Sequence, residues 1–262
     1  LSDQQMQNIT REFNFSESTF VFPAEAGNTR KVRIFTPSRE IPFAGHPNIG
    51  TAFVLASIGE LEEFEERTNI VFEEQAGLVP IDIRKTAAGE IWSELKAPEN
   101  NSLGKTVSAE LIASALSISS SEVVTTTHLP QVASAGLPFL IVELRDLSSL
   151  ERASANLDGF RNISAQGIIP DIHLYIHSRD DFDIRARMFA PFDGVPEDPA
   201  TGSANCALAG LLAHYNESEA SKFSWRIAQG VEMGRPSLLD ARAEKSDDGL
   251  IASWIGGACV MV

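Results

Sequence analysis

Apolar and polar residues change their spacing along the chain in ways that mark out helices and strands in turn. Met6, Ile9 and Phe13 share one face of a helix opened by Ser2, and Gln5, three residues on, completes a capping box. STFVF (18–22) and RKVRIFTP (30–37) read as strands. A loop rich in Pro and Gly, SREIPFAGHPN (38–48), then leads into a helix from about Pro47 to Ala56 that Gly59 closes. NIVFEE (69–74), LVPIDIR (78–84) and EIWSELK (90–96) alternate or are rich in β-branched residues, which predicts three more strands. The polar segment PENNSLGK (98–105) predicts a linker. After it come a short helix in SAELIASALS (108–117), strands at VVTTTHL (123–129) and PFLIVEL (138–144), a helix around SSLERASANLDGF (148–160), and the alternating strand DIHLYIHS (171–178).

The second half repeats the first. VRIFTP at 32–37 matches ARMFAP at 186–191, pairing Arg33 with Arg187, Phe35 with Phe189 and Pro37 with Pro191. After a two-residue shift, HPNIGTA at 46–52 matches DPATGSA at 198–204. The pattern predicts a duplicated strand-loop-helix unit, with one lobe over 1–105 and a second over 106–262 whose last strand packs across the boundary. In each unit a Pro sits in the first helical turn, where its missing N–H costs nothing. A pseudo-twofold arrangement would bring two helix N-termini to one cleft and make a site for a carboxylate. In this register Thr51 and Ser203 occupy equivalent places.

Composition narrows the picture. The 262 residues, 43% of them hydrophobic and 22% charged, suit a soluble globular protein of about two units. Lys and Arg number 21 against 36 Asp and Glu, a net charge of −15, so most of the surface would repel a nucleic acid or an anionic membrane. Neither is expected as a partner. Cys206 and Cys259 lie in apolar stretches and read as reduced thiols. LSDQQMQNIT has neither the basic nor the apolar region of a secretory signal, and no run approaches the ~18 apolar residues of a membrane span, so a cytoplasmic location is expected.

The candidate chemistry lies in the two loops: Glu40 and His46 in the first, Glu197 and Asp198 in the second. Walled by Ile41, Pro42 and Phe43, Glu40 is the leading candidate for a proton shuttle, with His46 and Asp198 the next pair. His173 and His177 have a metal-ligand spacing only on a helix; on an alternating strand they stand ~13 Å apart, so no metal site is expected. TGSAN around Ser203 lacks the second Gly of a nucleophile elbow. No dinucleotide or P-loop motif is present, and no cofactor is called for. Side-chain proton transfer fits these residues best. A racemase or epimerase of an amino or hydroxy acid, and a small-molecule binding protein without turnover, remain as alternatives.

FTPSREIPFAGHPNIGTA (35–52), SAGLPFLIVEL (134–144), RMFAPFDGVPEDPATGSANCALAGLL (187–212) and QGVEMGRPS (229–237) together resemble the PhzF phenazine-biosynthesis family, whose fold is that of diaminopimelate epimerase. The resemblance runs nearly end to end and implies an α/β (α+β) fold of two pseudo-symmetric lobes, each a barrel-like mixed sheet around a central helix, with the active site between them. It implies a homodimer, no cofactor, a small carboxylate-bearing substrate and isomerisation by moving a proton. Carried over by position, the family's catalytic glutamate falls on Glu40, and Asp198 and Ser203 would orient the substrate or relay the proton. Gly45, His46, Pro47, Thr201 and Gly202 would line the substrate, and backbone amides around Gly45, His46, Gly202 and Ser203 would receive its carboxylate. Members of the family begin with a further strand, so the first lobe is expected to lack its first strand here.

Overall fold

A computed structural model describes residues 1–62 and 64–261. The first half runs α1 (Asp3–Phe13), β1 (Ser18–Phe22), β2 (Arg30–Phe35), β3 (Glu40–Ile41), α2 (Gly45–Ser57), β4 (Arg67–Glu74), β5 (Gly77–Lys85) and β6 (Ile91–Lys96). The second begins with β7 (Ser102–Thr106), α3 (Ala109–Leu116), β8 (Gln131–Ser134), β9 (Pro138–Glu143), α4 (Leu147–Arg152) and α5 (Leu157–Ser164). It continues with β10 (Ile172–His177), β11 (Ile184–Ala190), β12 (Val195–Asp198), α6 (Gly202–Tyr215), β13 (Lys222–Gln229), β14 (Ser237–Lys245) and β15 (Ile251–Ala258).

One hydrogen-bonded path joins the halves, in the order β1-β2-β4-β5-β6-β15-β14-β13-β11-β10-β9-β8-β7, with β3 on β2 and β12 on β11. The seam is β6 against β15, antiparallel, with Leu95 opposite Ile255 and both fully inside. Around one helix, α2, curl β1, β5 and β6; around the other, α6, curl β8, β9, β13, β14 and β15. The result is α+β: two lobes, each a curved mixed sheet wrapped on a central helix.

The two central helices follow from their composition. GSANCALAGLLA in α6 is small and apolar on every side, and all of Gly202–Ala213 is buried, as a helix surrounded by sheet requires. α2 buries Ile49, Ala52 and Leu55 on one face and leaves Val54 and Ile58 exposed on another. β1 ends the sheet path with β2 as its one long neighbour, whereas β10, its counterpart, has β9 parallel on one side and β11 antiparallel on the other. Among the described residues, no helix is long and apolar enough to cross a membrane.

Three sequence expectations are corrected. The second part of PENNSLGK is strand β7, paired with β8, so the polar crossing between halves is shorter than 98–105 and lies before β7. VVTTTHL makes a single bridge, Val123 to Leu144, because His128 is drawn inward to the Tyr175 hydroxyl at 2.8 Å and takes the backbone off the ladder. The helix around 148–160 is broken into α4 and α5. Residues 153–156 turn their backbone outward: the Ala153 carbonyl accepts from Arg187, Ser154 and Asn156 donate N–H groups to Leu116 and Ala115, and Asn156 caps the next helix.

The starts of the two central helices meet at Gly45 and Gly202. A Cβ on Gly45 would stand 2.6 Å from the Gly202 Cα, and one on Gly202 2.9 Å from the Gly45 Cα, so each glycine is required by the other's backbone. Gly202→Ala should therefore lower stability by about 1–3 kcal/mol, the range for forcing a methyl group into a close-packed contact, measured by urea denaturation.

Candidate functional site

Four of the six α-helices among the described residues start under a side-chain cap, from Ser2, Ser108, Asp146 and Asn156. The other two are α2 and α6. Ala44 and Thr201, at their N-cap positions, make no side-chain cap, so the first-turn N–H groups are left without intrahelical partners. These are also the two helix ends that meet at Gly45 and Gly202. Two positive dipole ends and their free donors thus share one spot, which favours an anion.

Beside that spot stand three side chains. Glu17 immediately precedes β1, and because Ser18 pairs with Phe35, residue 17 lies at the end of the sheet from which the chain leaves β2 for the loop to α2. His46 is in the first turn of α2, and Asp198 ends β12 just before α6. The Glu17 Oε2 is 3.2 Å from His46 Nε2, and donor atoms of Glu17, His46 and Asp198 all lie within 4.8 Å of one another. The Glu17 side chain is 13% exposed and its Oε2 meets no aligned hydrogen-bond donor. Burial raises its pKa above the ordinary carboxylate value and Asp198 adds to the rise, while His46 and Ser16 oppose it. Asp198 accepts a bond from Thr201 Oγ1 at 2.5 Å on Oδ2, which leaves the buried Oδ1 without a partner. By distance, the three groups suit a shared proton or a cation. The flanking helix ends disfavour the cation.

Glu40, the sequence candidate for the proton shuttle, stands elsewhere. Its β3 position opposite Phe35 sets its carboxylate against Arg33, which holds it in a two-pronged pair at 2.7 and 2.6 Å. It is not part of the Glu17–His46–Asp198 group and does not line the cavity in front of it. The second half repeats the arrangement: Arg187 grips Glu197 at 2.8 and 2.9 Å. Each arginine also lies over the phenylalanine two residues on, Phe35 at 5.2 Å and Phe189 at 4.8 Å. Glu40 and Glu197 are matching staples that pin each catalytic-side loop to its strand.

That match resets the register of the repeat. The loops align without a gap as E-x-P-x-x-G-x-x-N, 40–48 with 197–205, so Gly45 corresponds to Gly202, His46 to Ser203 and Asn48 to Asn205. Thr51 is not the counterpart of Ser203. It lies deeper in α2, donating to the Pro47 carbonyl and accepting from the Thr19 hydroxyl at 2.9 Å. Ser203 is buried in the first turn of α6, beside Gly202 and across from Gly45. Pro47 and Gly202 line the cavity, while Gly45 and Thr201 are covered behind it.

Sequence reasoning passed over two residues. Glu17 was legible: the offset that superposes VRIFTP on ARMFAP places it on Asp171, an acid matched with an acid just before a strand. Gln229, in the QGVEMGRPS string, is wholly buried. Its Nε2 donates to the Asp198 carbonyl at 2.8 Å and to Thr201 Oγ1 at 2.9 Å; its Oε1 accepts from Asn205 Nδ2 at 2.8 Å and from the Thr201 N–H at 3.3 Å. Asn205 in turn bonds the Thr201 carbonyl and His173, which burial keeps neutral by lowering its pKa to about 4. This network fixes the loop that presents Asp198.

The group opens on a cavity of about 1000 Å³. Glu17, Thr19 and His46 are among its polar lining residues, and Val21, Phe53, Trp92, Leu238 and Ile255 among its apolar ones. Cys206 is sealed inside α6, its thiol pushed up to about 12 by burial, so a pair of thiols facing one carbon is not available here.

The family described as phenazine biosynthesis-like protein (PhzC-PhzF) matches residues 1–262. A trans-2,3-dihydro-3-hydroxyanthranilate isomerase of Pseudomonas fluorescens is 34% identical over 259 residues, covering 98% of this chain and 86% of the relative. An uncharacterized isomerase of Mesorhizobium japonicum is 31% identical over 265 residues, with the same coverage. Among solved structures, a phenazine biosynthesis protein of the PhzF family from Bacillus anthracis superposes with a TM-score of 0.86 at 23% identity, covering all of this chain and 90% of that one. A hydroxyproline epimerase from Agrobacterium vitis shares the fold with a TM-score of 0.63 at 14% identity, over 92% of this chain and 71% of that one. The chain belongs to the phenazine biosynthesis-like (PhzC-PhzF) family, and the enzyme class it shares with these relatives is isomerase.

Proposed function

We propose that this isomerase moves a proton between two carbons of a small carboxylate-bearing metabolite, with Glu17 as the base that removes the proton and the acid that returns it. One observation carries the reading: a buried carboxyl, its Oε2 without an aligned donor, stands beside two uncapped helix N-termini that meet glycine to glycine. The carboxylate of the substrate sits against the N–H groups of Gly45, His46, Gly202 and Ser203. The same donors lower the cost of the negative charge that spreads from the deprotonated carbon toward that carboxylate. Burial of Glu17 raises its proton affinity toward working pH, which is what proton removal followed by redelivery requires. His46 and Asp198 flank it, positioned to hold polar substituents of the substrate or to relay the proton. Proton transfer between carbons is chemistry that side chains perform alone. The first compound to assay is trans-2,3-dihydro-3-hydroxyanthranilate, named for the Pseudomonas relatives.

Glu17→Gln should reduce turnover by about 10²–10⁴-fold and abolish incorporation of solvent deuterium into product. Glu40→Gln should keep turnover within about tenfold while costing about 1–2 kcal/mol of stability, since the Arg33 pair is partly exposed. Full activity in the Glu17 variant with loss in the Glu40 variant would return the role to Glu40. Because Glu17 must be ionised to take a proton, kcat/KM should rise with pH through a limb displaced above the ordinary glutamate value of 4.5. Asp198→Asn removes one cause of that displacement and should move the limb to lower pH in a pH-rate profile.

A further inference from the structure

Gln229 closes β13, and Glu74 closes β4. The two places are the same. The offset that carries Ser18 to Ile172 and Phe35 to Phe189 also carries Arg30 to Ile184. Arg30 lies beside Phe72 in the parallel pair β2–β4, and Ile184 lies beside Ile227 in the parallel pair β11–β13. Two residues further, Glu74 falls on Gln229. The helix partners agree as well, because Asn48 corresponds to Asn205 in the gapless loop alignment and both asparagines are fully buried.

In the second half the pair is satisfied: Asn205 Nδ2 donates to Gln229 Oε1 at 2.8 Å. In the first half Glu74 faces Asn48, yet Glu74 Oε1 and Oε2 and Asn48 Oδ1 and Nδ2 are all buried without an aligned partner. A carboxylate has two acceptors and nothing to give Asn48 Oδ1. A protonated carboxyl has one O–H donor and one carbonyl acceptor, the complement a primary amide offers. We propose that Glu74 works as a neutral carboxylic acid that positions Asn48 and the first turn of α2, including His46, as Gln229 positions Asn205 and the first turn of α6.

The surroundings offer no charge to hold an ionised Glu74. Glu73, on the opposite face of β4, is taken up by the backbone of Glu25 and Ala26 and by Asn28. Lys31 of β2, opposite Glu73, is paired with Glu25. The β5 residues facing the strand end are Gly77 and Leu78, and α2 contributes Asn48. Burial accordingly raises the carboxyl from 4.5 to about 8. A proton kept in the folded chain and lost from the unfolded one makes stability fall as pH rises between those two values, and above the upper one the O–H is lost from the folded chain too.

The inference rests on the proposed site, so its test has arms independent of turnover. Thermal unfolding of wild type and Glu74→Gln from about pH 5 to about pH 9 should show the wild type losing stability with pH relative to the variant. With trans-2,3-dihydro-3-hydroxyanthranilate, Glu74→Gln should hold kcat/KM near neutrality within about twofold and remove the decline above about pH 8, whereas Glu74→Ala should lose about 10- to 100-fold in kcat. At a fixed pH near 7 the His46 ring chemical shifts in NMR should match between wild type and Glu74→Gln and move in Glu74→Ala. Parallel stability profiles for wild type and Glu74→Gln would overturn the neutral acid. Unchanged His46 ring shifts in Glu74→Ala would overturn the positioning role. If that variant does not fold, the stability profile and, where there is turnover, the alkaline limb of Glu74→Gln decide. A wild type that leaves the substrate untouched would refute the proposed function, while the stability and NMR arms still judge Glu74.

Discussion

Backbone meets backbone at Gly45 and Gly202, and the geometry of the site is referred to that contact. With any side chain there, α2 and α6 would be held further apart and their free N–H groups would no longer address one point. The β6–β15 seam holds the approach from behind by making one continuous sheet of both lobes. Leaving two helix ends uncapped forgoes about 1 kcal/mol at each, and close packing around both helices offsets that loss. Uncapped ends are thus a local cost that buys donors for something other than the protein's own chain.

The electrostatics of the site run against those of the surface. A chain of net charge −15 repels anions at long range, yet salt screens exposed charges beyond about 8 Å, while partial charges at two buried helix ends act at contact distance. Glu17 sits within this positive region and still has a raised proton affinity, because burial and Asp198 outweigh His46. Its environment and that of Glu40 differ in one respect. Glu40 has an arginine two-pronged on its carboxylate, whereas Glu17 has only His46 and Ser16 beside it and its Oε2 meets no aligned donor.

Much of the architecture was legible in the residues. Ser2 and Gln5 form the capping box read from their spacing, the alternation of DIHLYIHS is a strand, and the duplicated R-x-F strands are counterparts across the two lobes. Pro and Gly in the loops signalled helix starts, and the convergence of those starts is present. What loop composition alone did not show was the pairing of Glu40. An acid walled by Ile41, Pro42 and Phe43 looked desolvated, but Arg33, seven residues earlier, lies across the strand pair and claims it. Cross-strand partners are not visible in linear order. The repeat contained the remedy, since Arg33 and Arg187 were already paired and each has a glutamate in the following loop. Aligning HPNIGTA with DPATGSA followed the shared Pro and Gly and hid the gapless match. Gln229 and Glu74, distant from the loops in sequence, become part of the site only because parallel pairing carries the ends of β13 and β4 beneath the helix starts.

The gapless correspondence of the two loops has one more consequence. Of nine aligned places, Glu, Pro, Gly and Asn are shared, and they build the frame: a staple, a bend, a close approach and a buried amide. The places that differ include Ile41 against Asp198 and His46 against Ser203, and of these His46 and Asp198 stand in the cluster with Glu17. A perfectly twofold pocket would treat both sides of a ligand alike. By keeping its scaffold duplicated and varying what projects from it, this protein makes a two-sided, unsymmetric cradle out of a repeated pair of parts.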